Sequence, residues 1–213
     1  MSRCKIVWMI PLAALLLALP ACRREQTETP DSAVLENTAA PEGTVPPLGA
    51  PVDPTGPTAR ATLQGAPEDT DFTGTVTFTQ QGDGLIVIAD FAGVDTPGEH
   101  GFHVHETGDC SHDAAGKHFT SAGGHFNPNN VEHACPPNEP RHAGDLGNVQ
   151  IGTNGAGRSE QTTNLLTLSG PNSVVGKAII LHTGADDCQT QPTGNAGDRL
   201  ACGVVTMEGS PAQ

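Results

Sequence analysis

This sequence is organised around one short stretch, Gly101-Phe102-His103-Val104-His105. Successive side chains of a β-strand point to opposite faces, so His103 and His105 share one face while Phe102 and Val104 can enter the core. Two imidazoles held side by side on a rigid strand are a suitable start for a metal site. The pair alone is weak support, because two surface histidines beside a loop show the same spacing.

Segments on both sides of this stretch alternate between apolar and polar residues, which is the pattern of strands with one buried face. Gly and Thr are abundant, and Asp83-Gly84 and Asn154-Gly155 are typical hairpin turns. The expected fold is all-β, an eight-stranded antiparallel Greek-key barrel or sandwich with two long functional loops. The predicted strands are residues 59–64, 72–78, 85–91, 101–106, 147–153, 157–163, 178–182 and 202–207.

The segment before the predicted domain at 58–213 has a different character. Residues 1–22 combine a basic start, a short apolar run and small residues before Cys22, which predicts an export signal. Leu19-Pro20-Ala21-Cys22 resembles a bacterial lipobox, in which the cysteine is lipidated; ordinary cleavage to a soluble exported protein is the alternative. Residues 23–57 are rich in Pro without an apolar period, which predicts a disordered tether.

A long loop follows the central strand, since residues 106–146 contain no persuasive strand or helix. The loop supplies His125, His133, His142 and Asp145 at intervals of eight, nine and three residues. Three imidazoles and one carboxylate suit a closed tetrahedral zinc site, and zinc would replace the missing backbone ladder as the ordering force. His182 follows an apolar strand and can return to the central strand.

Four longer motifs carry a family resemblance. The chain from about 58 to 208 resembles copper-zinc superoxide dismutase, a family that is itself a known example of the sandwich architecture. The resemblance implies that this chain converts superoxide into dioxygen and hydrogen peroxide. The motifs are Gly101-Phe102-His103-Val104-His105-Glu106, Gly124-His125-Phe126-Asn127-Pro128, Arg141-His142-Ala143-Gly144-Asp145-Leu146-Gly147-Asn148-Val149 and Gly194-Asn195-Ala196-Gly197-Asp198-Arg199-Leu200-Ala201-Cys202-Gly203.

The resemblance implies two metal sites that share one histidine, with one copper ion and one zinc ion per subunit. His125 would bridge both metals as an imidazolate and take up a proton when the bridge opens during the reaction. The ligand types agree, because Cu(II) favours a tetragonal set of nitrogens and zinc accepts a tetrahedral mixture of nitrogen and oxygen. The implied ligands are His103, His105, His125 and His182 for copper, and His125, His133, His142 and Asp145 for zinc.

Two further residues take roles from the resemblance. Arg199 matches the active-site arginine of the family, whose guanidinium attracts and orients the superoxide anion beside copper. Asp186 matches the aspartate that accepts hydrogen bonds from the unligated nitrogens of one copper histidine and one zinc histidine. Such a partner fixes the tautomer and the orientation of each ring.

Four cysteines follow Cys22, an even number that predicts disulfides in an exported protein and allows three pairings. The family resemblance selects Cys110 with Cys202. It leaves Cys135 and Cys188 as a second bridge that is not typical of the family. A competing interpretation, in which Cys135 ligates zinc, is weaker because the implied zinc set is already complete.

Three histidines and one lysine match no functional position of the family. We expect His100, His112 and His118 at the surface, where metal capture is a minor alternative. The segment between Asp187 and Gly194 lacks the charged residues that steer superoxide in eukaryotic enzymes. Lys117 is interpreted as an isolated solvated lysine rather than as their replacement.

The net charge and the predicted export signal limit which partners the protein can have. The formal charge of −14 argues against nucleic acid, since phosphate binding requires clustered Lys and Arg. Membrane contact is expected only through a lipid on Cys22, at the periplasmic side of a bacterial cell envelope, with a soluble periplasmic protein as the alternative. Whether the chain forms a homodimer stays open.

Three functions are compatible with these features. They are a superoxide dismutase, a non-catalytic copper- and zinc-binding envelope protein of the same fold, and a structural exported β domain. The complete set of copper ligands together with Arg199 favours the enzyme over the carrier. The complete zinc set argues against a purely structural domain.

Overall fold

The computed structural model describes residues 56–113 and 115–209. Within these residues the fold is all-β, with nine strands and one 3₁₀ turn at Thr120–Ala122. No helix in this described part is long and apolar enough to cross a membrane. The strands are β1 (Thr58–Gly65), β2 (Thr73–Gln81), β3 (Gly84–Ala92), β4 (Gly98–His105), β5 (Asp145–Ile151), β6 (Gly157–Thr163), β7 (Ala178–His182), β8 (Arg199–Val204) and β9 (Thr206–Met207).

The predicted export segment is not part of this description. Residues 1–22 with Cys22, and nearly all of the tether predicted at 23–57, lie outside the described residues. The export signal, the lipidated cysteine and the tether therefore stay predictions. The domain predicted from residue 58 begins where β1 begins.

Eight strands close into an antiparallel barrel, as predicted. They follow the order β2-β3-β6-β5-β4-β7-β8-β1, and β1 pairs with β2 from Thr58 opposite Thr79 to Leu63 opposite Gly74, which closes the sheet. The short β9 is an extra strand that pairs with β1. Because β6 lies beside β3 and β7 beside β4, connections pass over neighbouring strands in the Greek-key manner.

The core follows from the alternation of side chains. In β1, Ala59, Ala61 and Leu63 are buried and the residues between them are exposed, as the sequence predicts. Phe78 and Phe102 are fully buried in the same cluster, so two of the few aromatic side chains fill the barrel. The barrel interior is thus an apolar support for the strands.

The central strand β4 is buried on both faces. Phe102 and Val104 join the barrel core, while His103 and His105 on the opposite face are equally buried. Two long loops cover that outer face. We call residues 106–144 the first site loop and residues 183–198 the second site loop.

Backbone hydrogen bonds fasten both site loops to β4. The N–H of Gly101 donates to the carbonyl of Gly184 in the second site loop at 2.8 Å. The N–H of Val104 donates to the carbonyl of Gly144 in the first site loop at 2.9 Å. A loop that is bonded to a strand in this way can position side chains above that strand. Apart from the turn at Thr120–Ala122, the described residues of the two site loops form no helix or strand.

Two details differ from the sequence prediction. The β2–β3 turn consists of Gly82 and Asp83 rather than Asp83 and Gly84, because Gly82 takes the left-handed φ of +57° that glycine adopts without strain. The strand predicted at 202–207 is two strands, β8 and β9. They separate at Val205, whose backbone bonds instead with Gly176 and Lys177.

Candidate metal centre

Strand β4 fixes the first two predicted ligands between two neighbours. His103 pairs with Ile180 of β7 and with Asp145 at the start of β5. The register between β4 and β5 shifts between Gly101 and His103, which re-aims the side chains at this point. His182 ends β7 and so reaches the same end of the sheet.

The first site loop brings three more predicted histidines over β4. His105 and His125 form an isolated antiparallel bridge, and the N–H of Phe126 donates to the carbonyl of Val104 at 2.8 Å. The loop therefore runs beside β4 as a short pseudo-strand. His133 and His142 follow on the same loop before it enters β5.

Four buried imidazoles form the first ligand group. Each can offer one nitrogen such that the four nitrogens lie within 4.8 Å of one another. One nitrogen of each ring lacks a hydrogen-bond partner among the described residues, and a buried polar atom without a partner calls for an explanation. These atoms are Nδ1 of His103 and Nε2 of His105, His125 and His182. An all-nitrogen set of this kind fits Cu(II).

The second ligand group surrounds one carboxylate. Nδ1 of His125 lies 2.8 Å and Nδ1 of His142 lies 3.2 Å from Oδ1 of Asp145. Nδ1 of His133 lies 3.1 Å from Oδ2. Ligands held about 2.0 Å from a tetrahedral ion stand about 3.3 Å apart, so this spacing fits a zinc ion.

His125 belongs to both groups. Its Nδ1 faces Asp145 in the second group, while its Nε2 is the partnerless atom of the first. Its ring centroid lies 4.0 Å from that of His103 and 5.5 Å from that of His133. One imidazole can therefore offer a nitrogen to each of two metal ions.

Most ligand rings are oriented by a hydrogen bond from the ring nitrogen that points away from the ligand group. Nε2 of His103 donates to Oδ2 of Asp186 at 2.7 Å, and Nε2 of His133 donates to Oδ1 at 3.0 Å. Nδ1 of His105 donates to the carbonyl of Gly123 at 2.9 Å, and Nδ1 of His182 faces the carbonyl of Gly197 at 3.3 Å. In each ring the remaining nitrogen is the one that points into the ligand group.

Burial favours the neutral form of three of the four rings in the first group. Burial, followed by the positive charge of neighbouring histidines, lowers the pKa of His105 and of His182 well below the ordinary value. Burial and the charge of His103 lower the pKa of His125 to about 4, against the opposing effect of Asp145. Neutral imidazole is the form that binds metal, so this group is ready for a cation at neutral pH.

Two members of the second group, His133 and Asp145, are charged instead. Burial opposes ionisation of His133, but its hydrogen bonds to Asp145 and Asp186 prevail and raise its pKa to about 9. Burial also opposes ionisation of Asp145, but its contacts with three histidines hold its pKa far below the usual range. The carboxylate is therefore ionised and can serve as a ligand.

Arg199 lies beside the first group. Its Nη1 donates to the carbonyl of Phe119 and its Nη2 to the carbonyl of Gly123. The carbonyl of Gly123 also accepts the hydrogen bond from His105, so a single peptide group orients the arginine and a ligand ring. Burial lowers the pKa of Arg199, and the side chain lines a cavity of about 630 Å³ that opens to solvent.

The structure contains two disulfides, and both are the pairings expected from the sequence. Cys110 is bonded to Cys202, which ties the first site loop to β8. Cys135 is bonded to Cys188, which ties the two site loops together. The sulfur of Cys135 lies near His133 but is occupied by this bond, which disfavours zinc ligation. Disulfides indicate an oxidising, extracellular or periplasmic compartment.

The surface position expected for His100 is wrong. Its side chain is 1% exposed, with Nδ1 2.7 Å from the carbonyl of His182 and Nε2 2.8 Å from that of Thr96. His100 lies on the same face of β4 as Phe102 and Val104, opposite the core residue Val149 of β5, so strand alternation itself places it on the buried side. His112 and His118 do reach solvent, and Lys117 is exposed beside Asp198 at 3.5 Å.

Three contributors to the site were missed in the sequence. The backbone of Gly123 is one, because a carbonyl acceptor leaves no trace in residue type. The side chain of Gln191 accepts from the N–H of His133 and donates to its carbonyl, both at 2.8 Å. Asn148 clamps the backbone of Asp186 in the same way, and only its place in a quoted motif could have pointed to it.

Comparison with known proteins agrees with this geometry. Residues 72–205 match the family described as Copper/zinc superoxide dismutase (SODC), a range that contains all seven ligands of the two groups. The fold is similar to a solved structure described as "Crystal Structure Analysis of the clock protein EA4". The two are 40% identical, with a TM-score of 0.62, over 70% of this chain and 94% of that chain. The chain belongs to the copper/zinc superoxide dismutase family.

Proposed function

We propose that this protein dismutes superoxide, so that two superoxide anions and two protons give dioxygen and hydrogen peroxide. His103, His105, His125 and His182 would hold copper, and His125, His133, His142 and Asp145 would hold zinc. The observation that carries the proposal is His125, which offers one nitrogen to each ligand group beside an arginine that faces solvent. Bound copper would supply the one-electron redox chemistry that both halves of the reaction require.

Arg199 binds and orients the substrate in this proposal. Its guanidinium is fixed by two backbone carbonyls, and the donors that remain can meet a small anion. The cavity in front of it is also lined by Thr183 and Lys117. Because Arg199 and His105 share the carbonyl of Gly123, an anion held by the guanidinium would lie close to a copper ligand.

His125 moves the proton. When its Nε2 is free of other bonds, that atom can take a proton and later donate it to the departing peroxide. Its Nδ1 stays engaged at Asp145, so the ring keeps its orientation while Nε2 changes state.

The second ligand group holds the first in place. Asp145 contacts three histidines of the first site loop, and Asp186 joins His103 to His133. A zinc ion would coordinate these buried polar groups and so order the loop. This role is structural, and it predicts that loss of zinc loosens the copper histidines.

The predicted export segment extends the proposal to the location of the protein. We propose that the chain works at the periplasmic side of a bacterial envelope, anchored by a lipid on Cys22. Two disulfides in the described domain support an oxidising compartment. Radiolabelled palmitate incorporated by the natural chain but not by Cys22→Ala would support the anchor, whereas equal labelling of both would contradict it.

Metal analysis and a superoxide assay together test the function. The two buried ligand groups of the full-length protein should hold one copper and one zinc, and the protein should suppress superoxide-dependent reduction of cytochrome c. A protein with both metals that leaves the cytochrome signal unchanged would instead be the non-catalytic metal-binding alternative. That alternative is worth testing, because a solved structure of similar fold is described as a clock protein.

A further inference from the structure

Two histidines outside both ligand groups stand side by side at the surface. Nδ1 of His112 lies 3.2 Å from Nδ1 of His118, and their ring centroids are 5.0 Å apart. The chain has nine histidines, and the other seven are buried. His112 and His118 are therefore the two imidazoles that ions in solution can reach directly.

A closed turn holds these two residues face to face. The N–H of Asp113 donates to the carbonyl of Lys117 at 3.1 Å. The Oδ1 atom of Asp113 accepts the N–H groups of Ala115 at 2.9 Å and of Lys117 at 2.8 Å. Residues that flank such a turn stand opposite each other, as in a hairpin. The six-residue spacing between His112 and His118 thus places both rings on one side.

Both ends of the turn are anchored to the domain. Cys110, two residues before His112, is bonded to Cys202 of β8. Phe119, directly after His118, is buried, and its ring centroid lies 5.2 Å from that of His112 and 5.9 Å from that of His118. The pair is therefore positioned before any ligand arrives, which lowers the entropic cost of binding.

A carboxylate sets the tautomer of one ring. Oε1 of Glu68 lies 2.9 Å from Nε2 of His118. When Nε2 donates its proton to Glu68, the Nδ1 atom of His118 carries the free lone pair and faces His112. This carboxylate–histidine arrangement is the one that orients metal-binding imidazoles in proteins.

The distance between the two Nδ1 atoms suits adjacent ligands of one ion. Two nitrogens about 2.0 Å from a metal stand about 2.8 Å apart at a right angle and about 3.3 Å apart in a tetrahedron. The observed 3.2 Å falls in this range. A simple N–H···N hydrogen bond between the two rings has a similar length. A metal site and a hydrogen bond therefore differ in whether the pair binds added copper.

We propose that Nδ1 of His112 and Nδ1 of His118 bind a third metal ion, Cu(II), with Glu68 orienting His118 and water completing the coordination. Imidazole is a good ligand for Cu(II), which binds a given nitrogen site more tightly than the other divalent ions of the first row. His118 and Glu68 line the same cavity as Arg199. The third ion therefore sits in the cavity that Arg199 lines.

The test compares copper binding by full-length protein and variants. Equilibrium dialysis against Cu(II) counts the bound ions, and electron paramagnetic resonance reports nitrogen coordination. The natural chain should bind one more copper than a His112→Ala/His118→Ala variant. Glu68→Gln should weaken this site by about 10- to 100-fold, since it removes the orienting carboxylate. Glu99→Gln, the same change at an exposed position of β4, should leave it unchanged.

Two results would overturn the proposal. One is an equal number of nitrogen-coordinated coppers in the natural chain and the double histidine variant. The other is an equal loss of affinity in Glu68→Gln and Glu99→Gln. Because the readout is a difference in copper binding, it is independent of dismutase activity, and either idea can fail without the other.

Discussion

Oδ2 of Asp186 lies 2.7 Å from Nε2 of His103. The other oxygen of the same carboxylate lies 3.0 Å from Nε2 of His133, so one side chain orients a ring in each ligand group. Asp186 is itself held by the N–H of Cys188 at 2.7 Å, directly beside the second disulfide. The two ligand groups are thus linked by His125, which belongs to both, and by Asp186, which bonds to one ring of each.

Asp186→Asn should weaken binding of both metals by about 10- to 100-fold. An amide has a single oxygen acceptor, so one of the two histidines loses its partner and its fixed tautomer. Copper and zinc affinities measured by competition with a chelator provide the test. Asp187→Asn is the matched control, because the neighbouring carboxylate is exposed and caps Gln189 and Thr190. Equal effects of both variants would contradict the role of Asp186.

Gly194→Ala should disrupt the same carboxylate from the second site loop. A Cβ at Gly194 would lie 1.9 Å from Oδ1 of Asp186 and 2.7 Å from Nε2 of His133, so the bridge must shift. Zinc content after dialysis should fall sharply. Gly82→Ala is the control, since Gly82 also has a positive φ but no atom within 4 Å of its Cβ. Backbone strain alone, about 1–2 kcal/mol, would act on both. Full zinc retention in Gly194→Ala would contradict this account.

The strands and ligands could be predicted because both leave a residue pattern. The alternation in β1 and the apolar run of β7 mark strands with a defined buried face. The histidine spacing, read with the motifs around it, identified the residues that the structure gathers into two groups. The chemistry of a side chain and the alternation of apolar and polar residues are local properties, so a single sequence records them.

Other parts of the site depend on tertiary contacts that residue type does not record. The carbonyls of Phe119 and Gly123 hold Arg199, and any residue could supply a carbonyl. The carbonyls of Thr96 and His182 accept from the buried ring of His100, and residue type does not record these acceptors either. The turn that pairs His112 with His118 likewise depends on where its ends are anchored.

Removing the second disulfide should loosen zinc more than copper. Loop-closure entropy gives about 4 kcal/mol for Cys135→Ala/Cys188→Ala, whose bridge spans 53 residues. This bridge joins the loop of His133 to that of Asp186, so zinc should dissociate faster even under conditions where the domain stays folded. The comparison is Cys110→Ala/Cys202→Ala, a bridge over 92 residues that should cost a similar free energy of unfolding. Identical zinc dissociation rates in the two variants would argue against a specific role of the Cys135–Cys188 bridge in holding zinc.

Arg199→Lys should reduce superoxide dismutation by roughly tenfold to hundredfold while leaving metal content unchanged. A lysine keeps the charge but cannot bond the carbonyls of Phe119 and Gly123 and also present a fixed pair of donors to the anion. Stopped-flow measurement of superoxide decay gives the rate. Arg158→Lys, an exposed arginine of β6 paired with Asp90, should have no effect. A fully active Arg199→Lys enzyme would show that charge alone is sufficient.

Acid should destabilise the metal-free protein between pH 6.5 and 4.5. The folded pKa of His125 is about 4, below its ordinary 6.5, so in this window the unfolded chain takes up a proton that the folded chain does not. This difference removes about 2 kcal/mol of stability. His133, with a pKa of about 9, contributes stability that is present below pH 6.5 and lost only as the pH rises towards 9, so it changes little here. Urea unfolding at both pH values measures the loss. In His125→Gln the loss should be smaller by about that amount, and an equal loss in both proteins would contradict the assignment.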